Sequence, residues 1–154
     1  SPITGNCRRH SGACASPRSL GSLAVTLLLD THAWIWHIAA PQKMSRAALR
    51  ALQKHADNLF LSPISVWETL LLAQKNRLRL PTTPERWVEE ALKRSPLRMA
   101  PLTHDIAIRS RLLADNAPDD PADRFIIATA LVENHVLLSA DKRIADSRVV
   151  KVIW

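Results

Sequence analysis

Residues 23–29 are almost wholly apolar and lead directly into a single carboxylate, Asp30. A continuous apolar run, unlike an alternating one, is typical of a central strand buried on both faces of a parallel sheet. The charged group that follows such a strand is expelled from the core at its carboxyl end, the edge where ligands bind in open α/β sheets. The run therefore predicts a functional edge at Asp30, provided that other acidic groups converge on it.

The rest of the chain alternates short apolar runs with segments of helical periodicity. Strands are predicted at residues 25–30, 59–61, 97–102, 136–140 and 149–153. Helices are predicted at residues 31–39, 44–56, 63–76, 84–94, 104–115 and 121–134, with a helical turn at 142–146. This alternation favours an α/β fold with a parallel sheet and helices on both faces.

The first 22 residues differ in composition from everything that follows them. They are rich in Ser, Pro, Gly, Ala and Arg and show no period, so we interpret residues 1–22 as a disordered leader or an added extension, and 23–154 as one domain. Both cysteines lie in this leader and match neither a CxxC nor a zinc pattern. No run approaches the roughly 18 apolar residues of a membrane span, so we expect no membrane partner and a cytoplasmic protein.

The chain is basic, with a formal net charge of +7, which suits a polyanionic partner but also a basic protein without one. All 14 acidic residues lie at or after Asp30, so the predicted domain carries only about +4 (18 basic minus 14 acidic). Four cations recur at helical spacing, and they form either a solvated helix face or a stripe that lines a phosphate backbone. These are Lys43, Arg46, Arg50 and Lys54.

Four carboxylates occur where a purely structural domain would favour other residues. Asp30 and Asp141 each follow a buried strand, and Glu68 and Asp123 lie within the apolar stripes of predicted helices. A carboxylate on a buried face is costly unless it is paired, hydrogen-bonded or bound to a metal. Four carboxylates at one sheet edge cannot all stay ionised without cations, and oxygen ligands select Mg²⁺ or Mn²⁺. Such a site suits phosphodiester hydrolysis by metal-activated water.

Structural interpretations of the same acids remain open. An Asp at a strand end is a common helix cap, and Ser65-x-x-Glu68 matches a capping box. Asp120-Pro121-Ala122-Asp123 matches a helix start with Asp120 as the N-cap. The two interpretations are compatible, because a helix N-terminus keeps an acid ionised.

Four tryptophans also bear on the site. Trp34 and Trp36 lie near Asp30 in the sequence, where one of them could stack a base, with core packing or a dimer contact as the alternative. Trp67 and Trp87 fall on apolar helix faces and are predicted to be core residues.

Four segments together resemble a known family. They are Leu28-Leu29-Asp30-Thr31-His32-Ala33, Leu61-Ser62-Pro63-Ile64-Ser65-Val66-Trp67-Glu68, Asp120-Pro121-Ala122-Asp123-Arg124-Phe125-Ile126-Ile127-Ala128-Thr129-Ala130 and Leu138-Ser139-Ala140-Asp141. In order and spacing they resemble the PIN domain, most closely the VapC-type toxins of bacterial toxin–antitoxin pairs. The resemblance spans about residues 25–154. It implies a three-layer α/β/α fold around a mostly parallel sheet of four to five strands.

The resemblance also implies a function. It suggests a Mg²⁺- or Mn²⁺-dependent endoribonuclease, usually a homodimer, that acts on RNA and is inhibited by a cognate VapB-type antitoxin. By the family pattern the catalytic and metal-binding acids are Asp30, Glu68, Asp123 and Asp141. Asp120 is either a water-mediated ligand or the helix N-cap, and Thr31 and Ser139 support the carboxylates by hydrogen bonding.

Arg124 and Arg143 adjoin acidic residues and either contact RNA phosphate or form salt bridges at helix starts. Two functional alternatives remain open: a housekeeping PIN-domain nuclease that processes RNA, and a non-catalytic PIN module that binds RNA or protein.

Overall fold

The apolar run that ends at Asp30 forms the central strand of a five-stranded parallel sheet. The computed structural model describes residues 24–154, so the predictions for residues 1–22 lie outside the described residues. The strands are β1 (Leu27–Leu29), β2 (Leu59–Leu61), β3 (Arg98–Met99), β4 (Val136–Leu138) and β5 (Val152–Ile153). Their order across the sheet is β3-β2-β1-β4-β5, and every neighbouring pair is parallel, as predicted.

Seven α-helices in the described part connect these strands. They are α1 (Thr31–Ala39), α2 (Arg46–Lys54), α3 (Pro63–Gln74), α4 (Pro84–Arg94), α5 (His104–Arg111), α6 (Pro121–Val132) and α7 (Lys142–Ser147). A 3-10 turn, Pro41–Lys43, precedes α2. None of these helices is long and apolar enough to cross a membrane.

The two faces of the sheet are covered by different helices. Leu27 and Leu29 point into a cluster that includes residues of α1, α2 and α4, whereas Leu28 points into a second cluster with residues of α6 and α7. All three leucines are fully buried, as expected for a strand covered on both sides. The predicted three-layer α/β/α arrangement is therefore confirmed.

The carboxyl ends of the parallel strands meet at one edge, where three helices begin. Asp30, Ser62 and Asp141 are the N-caps of α1, α3 and α7. The Asp30 carboxylate accepts a hydrogen bond from the backbone N–H of Ala33 at 2.7 Å. The Asp141 carboxylate accepts one from the N–H of Arg143 at 2.8 Å. Capping therefore turns these side chains toward the same edge of the sheet.

The structure differs from the sequence-based expectation at α3. Trp67, predicted to be a core residue, is 54% exposed, so that prediction is wrong. The fully buried residues of α3 are instead Ser65 and Thr69. Small side chains let a helix approach its neighbours closely, and α3 contacts both α1 and α6. Trp87, by contrast, is buried as predicted.

Candidate active site

A cavity of about 380 Å³ opens at the carboxyl edge of the sheet. Five carboxylates line it. Four are the acids singled out from the sequence, Asp30, Glu68, Asp123 and Asp141, and the fifth is Asp120. They come from four separate segments of the chain, so the fold brings together groups that are far apart in sequence. One guanidinium, that of Arg143, lies in the same lining.

Asp30 is the most enclosed member of this group, with 7% of its surface exposed. Burial raises the pKa of its carboxyl to about 6, and hydrogen bonds from the Ser139 side chain and the Ala33 N–H oppose that rise in pKa. Ser139 is itself fully buried, and its hydroxyl oxygen accepts a hydrogen bond from the Asp141 N–H at 3.1 Å. Ser139 thus contacts the Asp141 backbone and acts on the Asp30 carboxyl, while its supporting role in a reaction stays a prediction.

Glu68 reaches the cavity from α3 and is held by the residue next to Asp30. The Thr31 hydroxyl donates a hydrogen bond to Oε2 of Glu68. Thr31 is almost completely buried, with 1% of its surface exposed, so it can hold the carboxylate in one place. The functional role suggested for Thr31 stays a prediction.

Asp123 and Asp120 lie at the start of α6. Oδ1 of Asp120 accepts hydrogen bonds from the N–H groups of Ala122 and Asp123, at 2.9 and 3.2 Å, so Asp120 is an N-cap. The Asp123 pKa is raised to about 7, first by burial and then by the carboxylates of Asp120, Asp141 and Glu68. Three neighbouring carboxylates raise the pKa of Asp123, whereas only that of Glu68 raises the pKa of Asp30.

Arg143 is the cation that offsets part of this charge. Its Nη2 lies 2.6 Å from Oδ2 of Asp141 and 3.3 Å from Oδ2 of Asp123, and its Nε lies 3.2 Å from Oδ1 of Asp141. This two-pronged contact lowers the pKa of Asp141 below its usual value. The salt-bridge interpretation of Arg143 thus describes the observed arrangement.

The donor set fits a hard divalent cation in its chemistry. Five carboxylates line the cavity, one guanidinium balances two of them, and burial and repulsion hold the pKa values of Asp30 and Asp123 high. In the observed side-chain conformations, no three Asp, Glu, His or Cys residues among residues 24–154 lie close enough together to coordinate one metal ion. The excess of oxygen ligands and of negative charge is nevertheless what Mg²⁺ or Mn²⁺ requires.

The predicted RNA-binding cations are placed differently from one another. The side chains at the four stripe positions are exposed: Lys43, Arg46, Arg50 and Lys54. Arg124 is half-buried and hydrogen-bonds the backbone carbonyls of Ser110 and Pro118, at 2.9 and 3.2 Å. It does not line the acidic cavity, and an RNA contact of Arg124 stays a prediction.

The two tryptophans near Asp30 also differ. Trp34 is fully buried and packs edge-on against Trp87, so it is unavailable to a ligand. Trp36 lines the cavity and contacts Trp154, whose ring centroid lies 5.6 Å away. Trp154 carries one weak signal in the sequence, its position directly after the apolar pair of β5.

The chain matches known proteins over most of its length. The family model described as PIN domain matches residues 27–149. Ribonuclease VapC22 of Mycobacterium tuberculosis is 35% identical over 123 residues, which cover 80% of this chain and 92% of that protein.

Two solved structures share the fold. VapBC2 from Rickettsia felis, bound to a DNA fragment from its promoter, matches with a TM-score of 0.63 and 14% identity over 83% of this chain and 97% of that one. DNA-bound VapBC from Salmonella typhimurium matches with a TM-score of 0.59 and 18% identity over 84% and 97%. The family match, the related sequence and the acidic cavity agree: this chain belongs to the PIN-domain family.

Proposed function

We propose that this protein is a divalent-metal-dependent endoribonuclease that acts as the toxin of a toxin–antitoxin pair. The observation that carries the proposal is the convergence of Asp30, Glu68, Asp123 and Asp141 on one cavity. The relative named Ribonuclease VapC22 supports RNA as the substrate. A cytoplasmic location follows from that substrate.

In this proposal the carboxylates act as oxygen ligands. Mg²⁺ or Mn²⁺, when bound, would supply positive charge for the phosphodiester and acidify the attacking water. Asp30 is fixed by its cap hydrogen bond, Glu68 by Thr31 and Asp141 by Arg143. Burial and the neighbouring carboxylates raise the pKa of Asp123 in the metal-free protein, and a bound cation would lower that pKa and keep Asp123 ionised as an oxygen ligand. We expect products with a 5′-phosphate and a 3′-hydroxyl.

We also propose a VapB-type antitoxin as partner, because the structures that share this fold are described as VapBC complexes. A homodimer is part of the same proposal. Large apolar side chains are exposed on α3 and just beyond α5: Trp67 is 54% and Leu112 is 69% exposed. An interface that covered these side chains would remove their apolar surface from water. Light scattering that finds only monomer at micromolar concentrations would contradict the dimer.

The nuclease proposal is tested with a panel of RNAs incubated in Mg²⁺ or Mn²⁺, with and without EDTA. We expect cleavage that EDTA abolishes and that Asp30→Asn reduces at least about 100-fold, the scale of losing one essential catalytic group. Asp57→Asn changes an exposed carboxylate outside the cavity and is the matched control. Cleavage that survives both EDTA and Asp30→Asn would reject the metal site.

A further inference from the structure

We propose that Trp36 is a stacking platform for an unpaired RNA base next to the scissile phosphodiester, and that Lys43 contacts the adjoining phosphate. This inference rests on the proposed function, and it assigns the substrate as single-stranded at that position. Trp36 would then touch the substrate without taking part in the bond-breaking step, and it would favour an unpaired base over a paired one without selecting a base sequence.

The position of Trp36 links it to the acidic cavity. It lies on α1, the helix that Asp30 caps, and it lines the same cavity as Asp30 and Asp123. Its side chain is partly buried, so the ring is anchored in the protein yet reachable from the cavity. A base that stacked there would place its own phosphodiester close to the carboxylates.

The ring of Trp36 has aromatic neighbours that do not stack flat on it. His32 lies 5.8 Å away at an interplanar angle of 57°, and Trp154 lies 5.6 Å away at 52°. These tilted contacts hold the ring in place. A parallel stack does occur elsewhere, between Phe60 and His135 at 4.4 Å and 28°. Nζ of Lys43 lies over the Trp36 ring, so a base would stack on the face that Lys43 leaves toward the cavity, and every nucleobase offers a flat π-face.

The distribution of charge around the cavity indicates on which side the bound RNA strand would leave it. Without a metal the five carboxylates of the cavity repel phosphate, whereas Nζ of Lys43 places a positive charge over the Trp36 ring, 5.9 Å from its centroid. Beyond Lys43 the exposed cations of α2 continue the positive charge, and α2 also contacts β5, the strand that leads into Trp154. A strand with one base on Trp36 can therefore extend its phosphates along the basic side of the site.

Simple packing is the competing explanation, because Trp36 also contacts the core cluster. Two substitutions separate the explanations. Trp36→Leu keeps an apolar side chain of useful size but removes the π-face, and Trp36→Phe keeps an aromatic face. If Trp36 serves only packing, both variants bind RNA like the parent protein once they are folded.

The experiment measures binding of a fluorescently labelled single-stranded RNA, chosen as the best-cleaved member of the panel, by anisotropy in Mg²⁺. The full chain carries Asp30→Asn so that the RNA stays intact. One abasic nucleotide is moved along the RNA. Base–aromatic stacking contributes about 1 to 3 kcal/mol, so we expect one position to weaken binding about 5- to 150-fold. Trp36→Leu should reduce this penalty to within about twofold, and Trp36→Phe should retain most of it.

Lys43→Ala should weaken the intact and abasic RNAs by the same factor, with Lys75→Ala at the exposed end of α3 as control. An abasic penalty that is equal in the parent and in Trp36→Leu, or absent at every position, would overturn the stacking proposal. If the wild-type protein nevertheless cleaves RNA in a metal-dependent way, the proposed function survives that failure. If it cleaves no RNA, the proposed function fails first.

Discussion

At the scale of single residues, the hydroxyl of Thr31 is a small group with a large expected effect. It holds Glu68 at the cavity wall, and the side chain that carries it is buried. Thr31→Val removes the hydroxyl but keeps the branched shape, so the fold should persist. Groups that orient a metal ligand typically change metal affinity about 10- to 100-fold, and we expect a loss of Mn²⁺ affinity in that range.

The measurement is calorimetric titration of the full-length protein with Mn²⁺. Thr31→Ser keeps the hydroxyl and should bind Mn²⁺ nearly as well as the wild type. Equal affinities for the Val and Ser variants would show that the hydrogen bond to Glu68 has no part in metal binding.

For single residues, the positions of the cavity acids could be predicted from the sequence, but the side chains that contact the cavity residues could not. Asp30 and Asp141 could be identified because each ends an apolar run, which is a local signal. The contact between Arg143 and Asp123 joins residues 20 positions apart and depends on how α6 and α7 are placed, which no local pattern encodes. The Trp36–Trp154 contact is longer in range still, since Trp36 lies on α1 and Trp154 directly follows β5.

At the scale of elements, the N-terminus of α6 combines a cap with a charge. Asp120 accepts two backbone hydrogen bonds there and also raises the pKa of Asp123. Asp120→Asn keeps a capping oxygen and removes the charge, whereas Asp120→Ala removes both. We expect Ala to cost about 1 kcal/mol of unfolding free energy and Asn to cost less than half of that.

The same Asn variant should lower the pKa of Asp123, because one of the carboxylates that raise it is gone. Urea unfolding gives the stability, and a carboxyl-carbon NMR titration gives the pKa. If Asn destabilised the protein as much as Ala, the charge rather than the cap would explain the role of Asp120 in α6.

Elements were predicted best where local chemistry marks their ends. Ser62-Pro63 starts α3 and Asp120-Pro121 starts α6 at the predicted residues, because capping and proline act within one turn. The buried face of α3 was not predicted. Its closest packing uses Ser65 and Thr69, so the hydrophobic pattern pointed to Trp67 instead. Periodicity fails where small polar residues form the contact between helices.

At the scale of the whole molecule, the sheet brings several acids to one edge, and their burial and mutual repulsion lower the unfolding free energy of the metal-free protein. Without metal, the Asp123 pKa is about 7 in the folded protein, against the ordinary aspartate pKa of 3.8 expected in the unfolded chain. Between these values the folded state holds a proton that the unfolded state has lost. The contribution of Asp123 to the unfolding free energy therefore falls as pH rises from about 4 to about 7.

Asp123→Asn removes this titration, so the variant should be more stable than the wild type in EDTA. The difference in unfolding free energy should be near zero at about pH 4 and rise to a plateau above about pH 7. A plateau on the order of 2 to 4 kcal/mol corresponds to the shift in pKa for a side chain that is 17% exposed. Comparing two proteins at each pH cancels the titration of groups that both share.

Adding Mn²⁺ should reverse the order of stability. A cation that binds the folded state stabilises it in proportion to its affinity, so the wild type should gain and Asp123→Asn should gain much less. Urea unfolding at several pH values, with EDTA or Mn²⁺, measures both effects, with Asp146→Asn on the exposed side of α7 as control. A stability difference in EDTA that does not change with pH would show that the crowding of carboxylates leaves Asp123 unaffected. Reversal by Mn²⁺ would show that the acids of this edge are kept for the ion they bind, at the expense of the metal-free fold.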